Sequence, residues 1–569
     1  MNINQVTQQV LRRHHRRNNH APDHSSAAVV ERSGASLKGL VLGPQHLIVS
    51  NMEGEIYVYS MASVFEEALK KCSESQPKDE LCPERCAKRG RGELQGCDAE
   101  PITPKRLRLR IQTNCDTELV SALRELVGIP SVSADKRLQD ECFRSAKFIA
   151  RQLEILGAEV KMAQEVRNPV VIGRLGRKPD VPTVTFYGHY DVQPALEDGW
   201  RTNGTSDNKG PVLGFLFAVK ELMESCAAEG KELPINCAFC FEGEEENGSH
   251  GFAATLEANQ HWFSGTEVVL VSNTLWIGET RPCLTYALRG LICLDVGVTG
   301  LKRDLHSGND GGVFNEPMVD LVNVIGTLVD GRNSILVPGF SEDIEEHHRD
   351  RKILEIIDRS GEFNLDDYRE YLGVPSLLER RSASDLLYER WCAPSLSIVD
   401  IRAGDTANEE ILPECYRFGP TRFSVIPHRA VGKVSIRFVP KQRPENLISC
   451  IKIHLQHEFA KLRSSNKLEI TVRNIGDWWE ADTDSRLFKA AERAVEREWN
   501  LEPLHVREGG TMPMIATLEK TLRAPAIMLP FGQASNNPHL ANERIRGVNL
   551  LRGKNVVRNF LEELVDLRK

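Results

Sequence analysis

Four short motifs carry the residue types that bind divalent metal ions and move protons. Gly188-His189-Tyr190-Asp191 offers an imidazole and a carboxylate two positions apart. Asp207 lies in Thr205-Ser206-Asp207-Asn208-Lys209-Gly210-Pro211. Glu242-Gly243-Glu244-Glu245-Glu246-Asn247-Gly248-Ser249 contains three successive glutamates, and Asn537-Pro538-His539-Leu540-Ala541-Asn542-Glu543 offers another imidazole. Singly, each has an ordinary reading: a His-x-Asp is a surface or capping pair, adjacent glutamates are a solvated face, and Asp-Asn-Lys-Gly is a turn. Together they supply imidazole and carboxylate, the ligands Zn²⁺ prefers. Two such ions close together lower the pKa of a water and polarise a scissile carbonyl. A carboxylate beside them can take the water's proton and pass it to a leaving amine. Glu245 next to Glu246 suits this, because one can bind metal while its neighbour points elsewhere.

The surrounding pattern places these motifs at strand ends. Apolar strands are predicted at Val170–Gly173, Thr183–Tyr187, Asn236–Phe241, Val268–Val271 and Pro525–Pro530. Helices are predicted at Glu118–Val127, Lys136–Leu156, Pro211–Met223 and Ser485–Trp499. Strand and helix alternation implies an α/β domain with a mostly parallel sheet, and ligands bind beyond the C-terminal strand edge of such sheets. Between 291 and 475 the texture changes. Leu291–Thr299, Lys433–Phe438 and Leu468–Arg473 alternate as half-buried strands, with helices at Pro317–Val329 and Asn446–Arg463. That is an inserted α+β lid. The expected division is catalytic domain 115–290, lid 291–475, and catalytic domain again 476–569.

The N-terminal part is of a different kind. Residues 1–36 are expected to be a disordered tail, basic and acid-poor over Met1–Asp23 and faintly like a mitochondrial transit peptide. In residues 37–60, strands at His46–Ser50 and Glu55–Ser60 flank a turn at Glu53-Gly54, which resembles part of one WD-repeat propeller blade. One blade cannot bury its own faces. Residues 61–114 form a polar linker after a short helix at Val64–Lys71. Its Cys82, Cys86 and Cys97 match no common zinc-finger spacing.

Composition narrows the class. The chain has 569 residues, 72 basic and 80 acidic side chains, and net charge −8, with no basic excess that would suit a nucleic acid. No apolar run approaches membrane-spanning length. The cysteines show no disulfide framework; Cys237, Cys240 and Cys293 sit in apolar runs. With no secretory signal, a cytoplasmic setting is expected.

The motifs GHYDVQPA, TSDNKGP, EGEEENGS, DLHSG, REGGTMP and HLANE together resemble the carnosinase/aminoacylase/succinyl-diaminopimelate desuccinylase family of dinuclear zinc peptidases, over about 115–569. The resemblance implies two zinc ions per subunit. His189 would bind one and Glu246 and His539 the other, with Asp207 bridging them and followed by a cis peptide to Asn208. It implies that Glu245 is the general base and that Asp191 buttresses His189. His306 would reach the active site of a second subunit in a homodimer formed through the lid. Arg429 and Gly509-Gly510-Thr511 would hold the substrate's carboxylate end.

Two departures stand out. Where the family places a metal-binding aspartate, this chain has Asn273, whose neutral amide should weaken one site. The segment Trp200–Gly204 is also unusually short. The propeller-like fragment beside such a domain resembles the peptidase-like subunit of the fungal glutathione-degradation complex. That subunit pairs with a glutamine-amidotransferase-like one. The expected function is metal-dependent hydrolysis of a peptide or amide bond in small peptides such as glutathione or a dipeptide. The alternatives are a non-catalytic scaffold subunit and an N-acyl-amino-acid hydrolase.

Overall fold

The structure, a computed structural model, describes residues 37–42, 46–51, 56–60, 114–163, 166–194, 203–342, 344, 348–377, 382–404, 423–540 and 542–568. The chain divides into two units, one up to Thr117 and the other from Glu118. The first holds an antiparallel meander of β1 (Leu37–Leu42), β2 (His46–Asn51) and β3 (Ile56–Ser60). The sequence predicts β2 and β3 but not β1. A bulge beside Gly39 breaks the alternation by which β1 could be recognised. The tail, the helix expected at Val64–Lys71 and Cys82, Cys86 and Cys97 lie outside the described residues.

The division falls within the helix Asn114–Val127, and the helix Gln139–Ile155 follows. Strands β4 (Glu159–Ala163), β5 (Val170–Leu175), β6 (Thr183–His189), β7 (Asn236–Glu242), β8 (Thr266–Val271) and β9 (Cys283–Leu288) follow. The chain then forms the lid strands β10 (Gly290–Thr299), β11 (Leu305–His306), β12 (Ser395–Ala403), β13 (Val425–Ile426), β14 (Arg429–Phe438) and β15 (Lys467–Gly476). It returns through β16 (Trp479–Glu480), β17 (Leu504–Glu508) and β18 (Ala526–Met528). The central sheet runs β16-β9-β18-β8-β6-β7-β5-β4, with β17 on β9.

Its middle is parallel: β7, β6, β8 and β18 all run the same way. Every residue of β6 and β7 is buried, as continuous apolar runs require when both faces are covered. The helix Lys209–Ala228 packs on β6. Phe186 of β6 meets Phe239 of β7 and Phe215 of that helix, with ring centroids 5.1 and 5.3 Å apart. One edge is antiparallel. β5 pairs antiparallel with both β7 and β4. β4 is half-exposed and weakly patterned, and the sequence does not predict it.

The lid sheet, in order β12-β14-β10-β15, is antiparallel throughout. Ile292, Leu294, Val296 and Val298 alternate along β10 into a core closed by Leu321 and Val324 of the helix Pro317–Ile325 and Ile451 and Leu455 of the helix Pro444–Lys461. Between these elements the chain adds helices His348–Ser360, Leu365–Leu372 and Ala383–Trp391. These reach the catalytic sheet. Tyr286 of β9 donates to Asp350 at 2.9 Å, and Arg507 of β17 pairs with Asp350 at 3.2 Å and Glu480 at 2.9 Å. Among the described residues, no helix is long and apolar enough to cross a membrane. The nine described cysteines are free, with Cys237 and Cys240 buried and Cys293 partly so.

Candidate metal centre

The parallel register sets the site. His189 pairs with Glu242 at the C-terminal ends of β6 and β7. β8 stops at Val271, two residues before Asn273, beside β18. Asp207 lies just before the helix Lys209–Ala228 and is followed by a cis peptide to Asn208. The four motifs therefore meet at one sheet edge.

Asp207 stands between two imidazoles. Its Oδ1 is 3.0 Å from His189 Nε2 and its Oδ2 is 3.0 Å from His539 Nε2. Asn273 Oδ1 lies 3.3 Å from His189 Nε2, and Glu246 Oε2 lies 3.1 Å from His539 Nε2. The donors thus sort into two halves that share Asp207. His189, Asp207 and Glu246 each offer a ligand atom within 4.8 Å of the others.

The surroundings orient these donors. His189 is fully buried, and its Nδ1 lies 3.1 Å from the Asp191 carbonyl oxygen and 3.4 Å from its carboxylate. A proton on Nδ1 leaves the Nε2 lone pair facing Asp207. The Asp191 carboxylate accepts the backbone N–H groups of Glu245 at 3.2 Å and Glu246 at 3.0 Å, so it fixes the glutamate turn as well. Glu245 Oε2 is 3.8 Å from His189 Nε2. Burial first, opposed by His189 and reinforced by Glu246 and Asp207, pushes the Glu245 carboxyl up to about 7. Burial alone would push the His189 imidazole down, but Glu245, Asp191 and Asp207 hold it well above its ordinary value.

The residues fit divalent cations. Four carboxylates (Asp191, Asp207, Glu245 and Glu246) crowd two imidazoles, which leaves negative charge to neutralise. Glu246 Oε1 is buried without a hydrogen-bond partner, an arrangement that is costly unless something else meets it.

The pattern of Peptidase family M20/M25/M40 matches residues 185–563. This chain belongs to that family. It is accordingly a metal-dependent hydrolase of the peptidase class, the metal in M20 peptidases being typically zinc. The Cys-Gly metallodipeptidase DUG1 of Candida albicans is 33% identical over 476 residues, covering 78% of this chain and 94% of that protein. Human carnosine dipeptidase 1 superposes with a TM-score of 0.68 at 32% identity, covering 79% of this chain and 96% of the other. The probable di- and tripeptidase DUG2 of Saccharomyces cerevisiae is 31% identical over 464 residues, 75% of this chain but 48% of that protein. The M20 match does not extend to the β1–β3 meander.

The remaining expected residues part company. Gly509, Gly510 and Thr511 follow β17 beside the metal donors, where Asn273 Nδ2 meets Met512 Sδ at 3.4 Å. Arg429 and His306 are elsewhere in this chain. Arg429 opens β14 opposite Thr299, and its guanidinium pairs with Glu469 at 3.3 Å. His306, exposed on β11, accepts the Gly308 amide at 3.1 Å. β11 pairs with β13, just before Arg429, so both residues mark the far end of the lid. Two other arginines reach the glycine loop, and one is Arg437, whose Nη1 donates to Thr511 Oγ1 at 2.5 Å. It lies eight residues along β14 from Arg429, roughly 27 Å at strand spacing. Sequence alone overlooked it. Its signal was an arginine facing away from the inward Val434, Ile436 and Phe438. Arg289, also overlooked, donates from Nε to the Gly509 carbonyl at 3.0 Å and from Nη1 to the Ala393 carbonyl at 3.0 Å. Burial and the neighbouring Arg437 push its guanidinium down to about 10.

Proposed function

We propose that this chain hydrolyses the peptide bond of dipeptides and similarly small peptides at a two-zinc centre. The observation that carries the reading is the split carboxylate of Asp207, with one oxygen 3.0 Å from each imidazole. His189, Asn273 and Asp207 would hold one ion, and His539, Glu246 and Asp207 the other. Zinc bound there would supply Lewis-acid polarisation of the scissile carbonyl and a more acidic water. Glu245 acts as general base: its carboxylate takes the water's proton and hands it to the leaving amine. Asp191 positions His189 and the glutamate turn. Arg437, Thr511 and the glycine pair receive the substrate's terminal carboxylate, since an arginine beside a hydroxyl suits a planar anion.

The curated relatives named for Cys-Gly and β-Ala-His point to a free dipeptide as the substrate class. Cys-Gly is a fragment of glutathione, so a place in glutathione breakdown follows, with an amidotransferase-like subunit as the partner in the finer form. His306 and Arg429, together at the far lid end, are the groups a second copy would bring to this site in a homodimer. A scaffold role is the second reading, favoured by the uncharged Asn273.

The test is zinc content of the purified full chain, with hydrolysis of Cys-Gly, β-Ala-His and glutathione measured with and without the partner. Glu245→Ala should retain zinc and lose about 10²–10⁴-fold in kcat. Zinc-loaded wild type that hydrolyses none of these, with or without the partner, would leave the scaffold reading standing.

A further inference from the structure

Glu543 has no part in the chemistry above, yet it is hydrogen-bonded to the segment that carries Asp207. It is 3% exposed. Its Oε2 accepts the Gly204 amide at 2.6 Å, and its Oε1 accepts the Ser206 amide at 2.7 Å, the Ser206 hydroxyl at 3.0 Å and the Asp207 amide at 3.0 Å. A buried carboxylate is costly unless its oxygens are bonded. Here four donors meet it, all from the turn that ends in Asp207.

That turn has little freedom to settle elsewhere. Gly204 has φ +95°, and a Cβ there would lie 2.5 Å from Val192 Cγ1 and 3.1 Å from Lys209 Cδ. The Lys209 amide donates back to the Gly204 carbonyl at 2.9 Å. Lys209 Nζ donates to the carbonyls of Leu126 at 3.1 Å and Ile129 at 2.6 Å, which anchors the turn's far end. Glu543 anchors the near end. It also sits four residues after His539, so the same loop that presents His539 grips the turn that presents Asp207.

We infer that Glu543 is the positioning residue of the metal centre: it fixes the Asp207 carboxylate midway between His189 and His539, so that both halves of the site depend on it. The inference rests on the two-metal reading.

Glu543→Gln keeps the shape but turns an NH₂ group towards a backbone N–H. Ser206→Ala removes one donor and leaves the carboxylate intact. Zinc affinity of the full chain is measured by competition with a chromophoric chelator. Visible absorption of the cobalt-substituted protein and melting of chelator-treated protein are recorded alongside. Glu543→Gln should weaken both ions by about 10–100-fold and change the cobalt spectrum, while the metal-free protein melts close to wild type. Ser206→Ala should move affinity the same way by a smaller factor. Unchanged zinc affinity and spectrum in Glu543→Gln overturn the inference, as does a drop in metal-free melting temperature with affinity unaltered. Wild type that binds no zinc at all overturns the parent reading instead, and this one with it.

Discussion

Asn273 is the sharpest place to perturb this centre. The half around His539 has two carboxylates within reach, Glu246 and the shared Asp207. The half around His189 has Asp207 and a neutral amide, with Asn273 Oδ1 3.3 Å from Nε2 and the Glu245 carboxylate farther off at 3.8 Å. The amide is held in that orientation from both sides. Asn208 Nδ2 donates to Asn273 Oδ1 at 2.6 Å, and Asn273 Nδ2 meets Met512 Sδ at 3.4 Å. Asn273→Asp adds one negative charge at nearly constant volume. It keeps the Asn208 bond, now charge-assisted, and gives up the contact with sulfur. A unit charge about 4 Å from another is worth about 4 kcal/mol at an effective dielectric near 20. Desolvating the new carboxylate takes part of that back. A net gain of about 1.5–3 kcal/mol corresponds to roughly 10–150-fold tighter binding in the His189 half. The assay is zinc per chain after dialysis against graded chelator. Wild type should pass through a one-zinc plateau that Asn273→Asp shortens or abolishes, with a faster Cys-Gly rate at limiting zinc. Identical chelator curves for the two proteins would refute the charge argument and the place of Asn273 in the site.

Arg437→Met should raise KM for free dipeptides about 10–100-fold with a smaller change in kcat, and Arg437→Lys should recover little, because a point charge cannot reproduce the guanidinium fork. Dipeptide amides should be insensitive to either change; equal losses on amides and acids would remove Arg437 from the carboxylate subsite. His505 provides a pH test away from the metals. Burial, only partly opposed by Glu492, lowers its imidazole pKa. A depressed folded pKa makes the neutral form the stable one, so its contribution is complete above the unfolded value of about 6.5 and is lost as pH falls towards the folded value. His505→Gln should flatten the dependence of unfolding free energy on pH below about 6.5, measured by urea titration. An unchanged slope would exclude His505 as its source.

The donor types and their strand-end positions were legible in the chain itself. Apolar runs such as Thr183–Tyr187 and Asn236–Phe241 stop where polar, glycine-bearing motifs begin, and that change is local in sequence. The alternation of β10 and β14 likewise identified the lid, because a half-buried strand writes its two faces into successive residues. The partners of buried polar groups were not legible. Nothing near Glu543 says that it binds the amide of Gly204, 339 residues away. Arg437 and Arg429 look equally available in sequence, and only the register of β14 against β10 sends one to Thr511 and the other to the far end of the lid. The antiparallel edge β4-β5 and the helices His348–Ser360 to Ala383–Trp391 escaped for a related reason. Their places are set by which surfaces remain to be covered once the sheet has formed. Periodicity reports which face of an element is buried, whereas the partner on that face is a property of the folded chain.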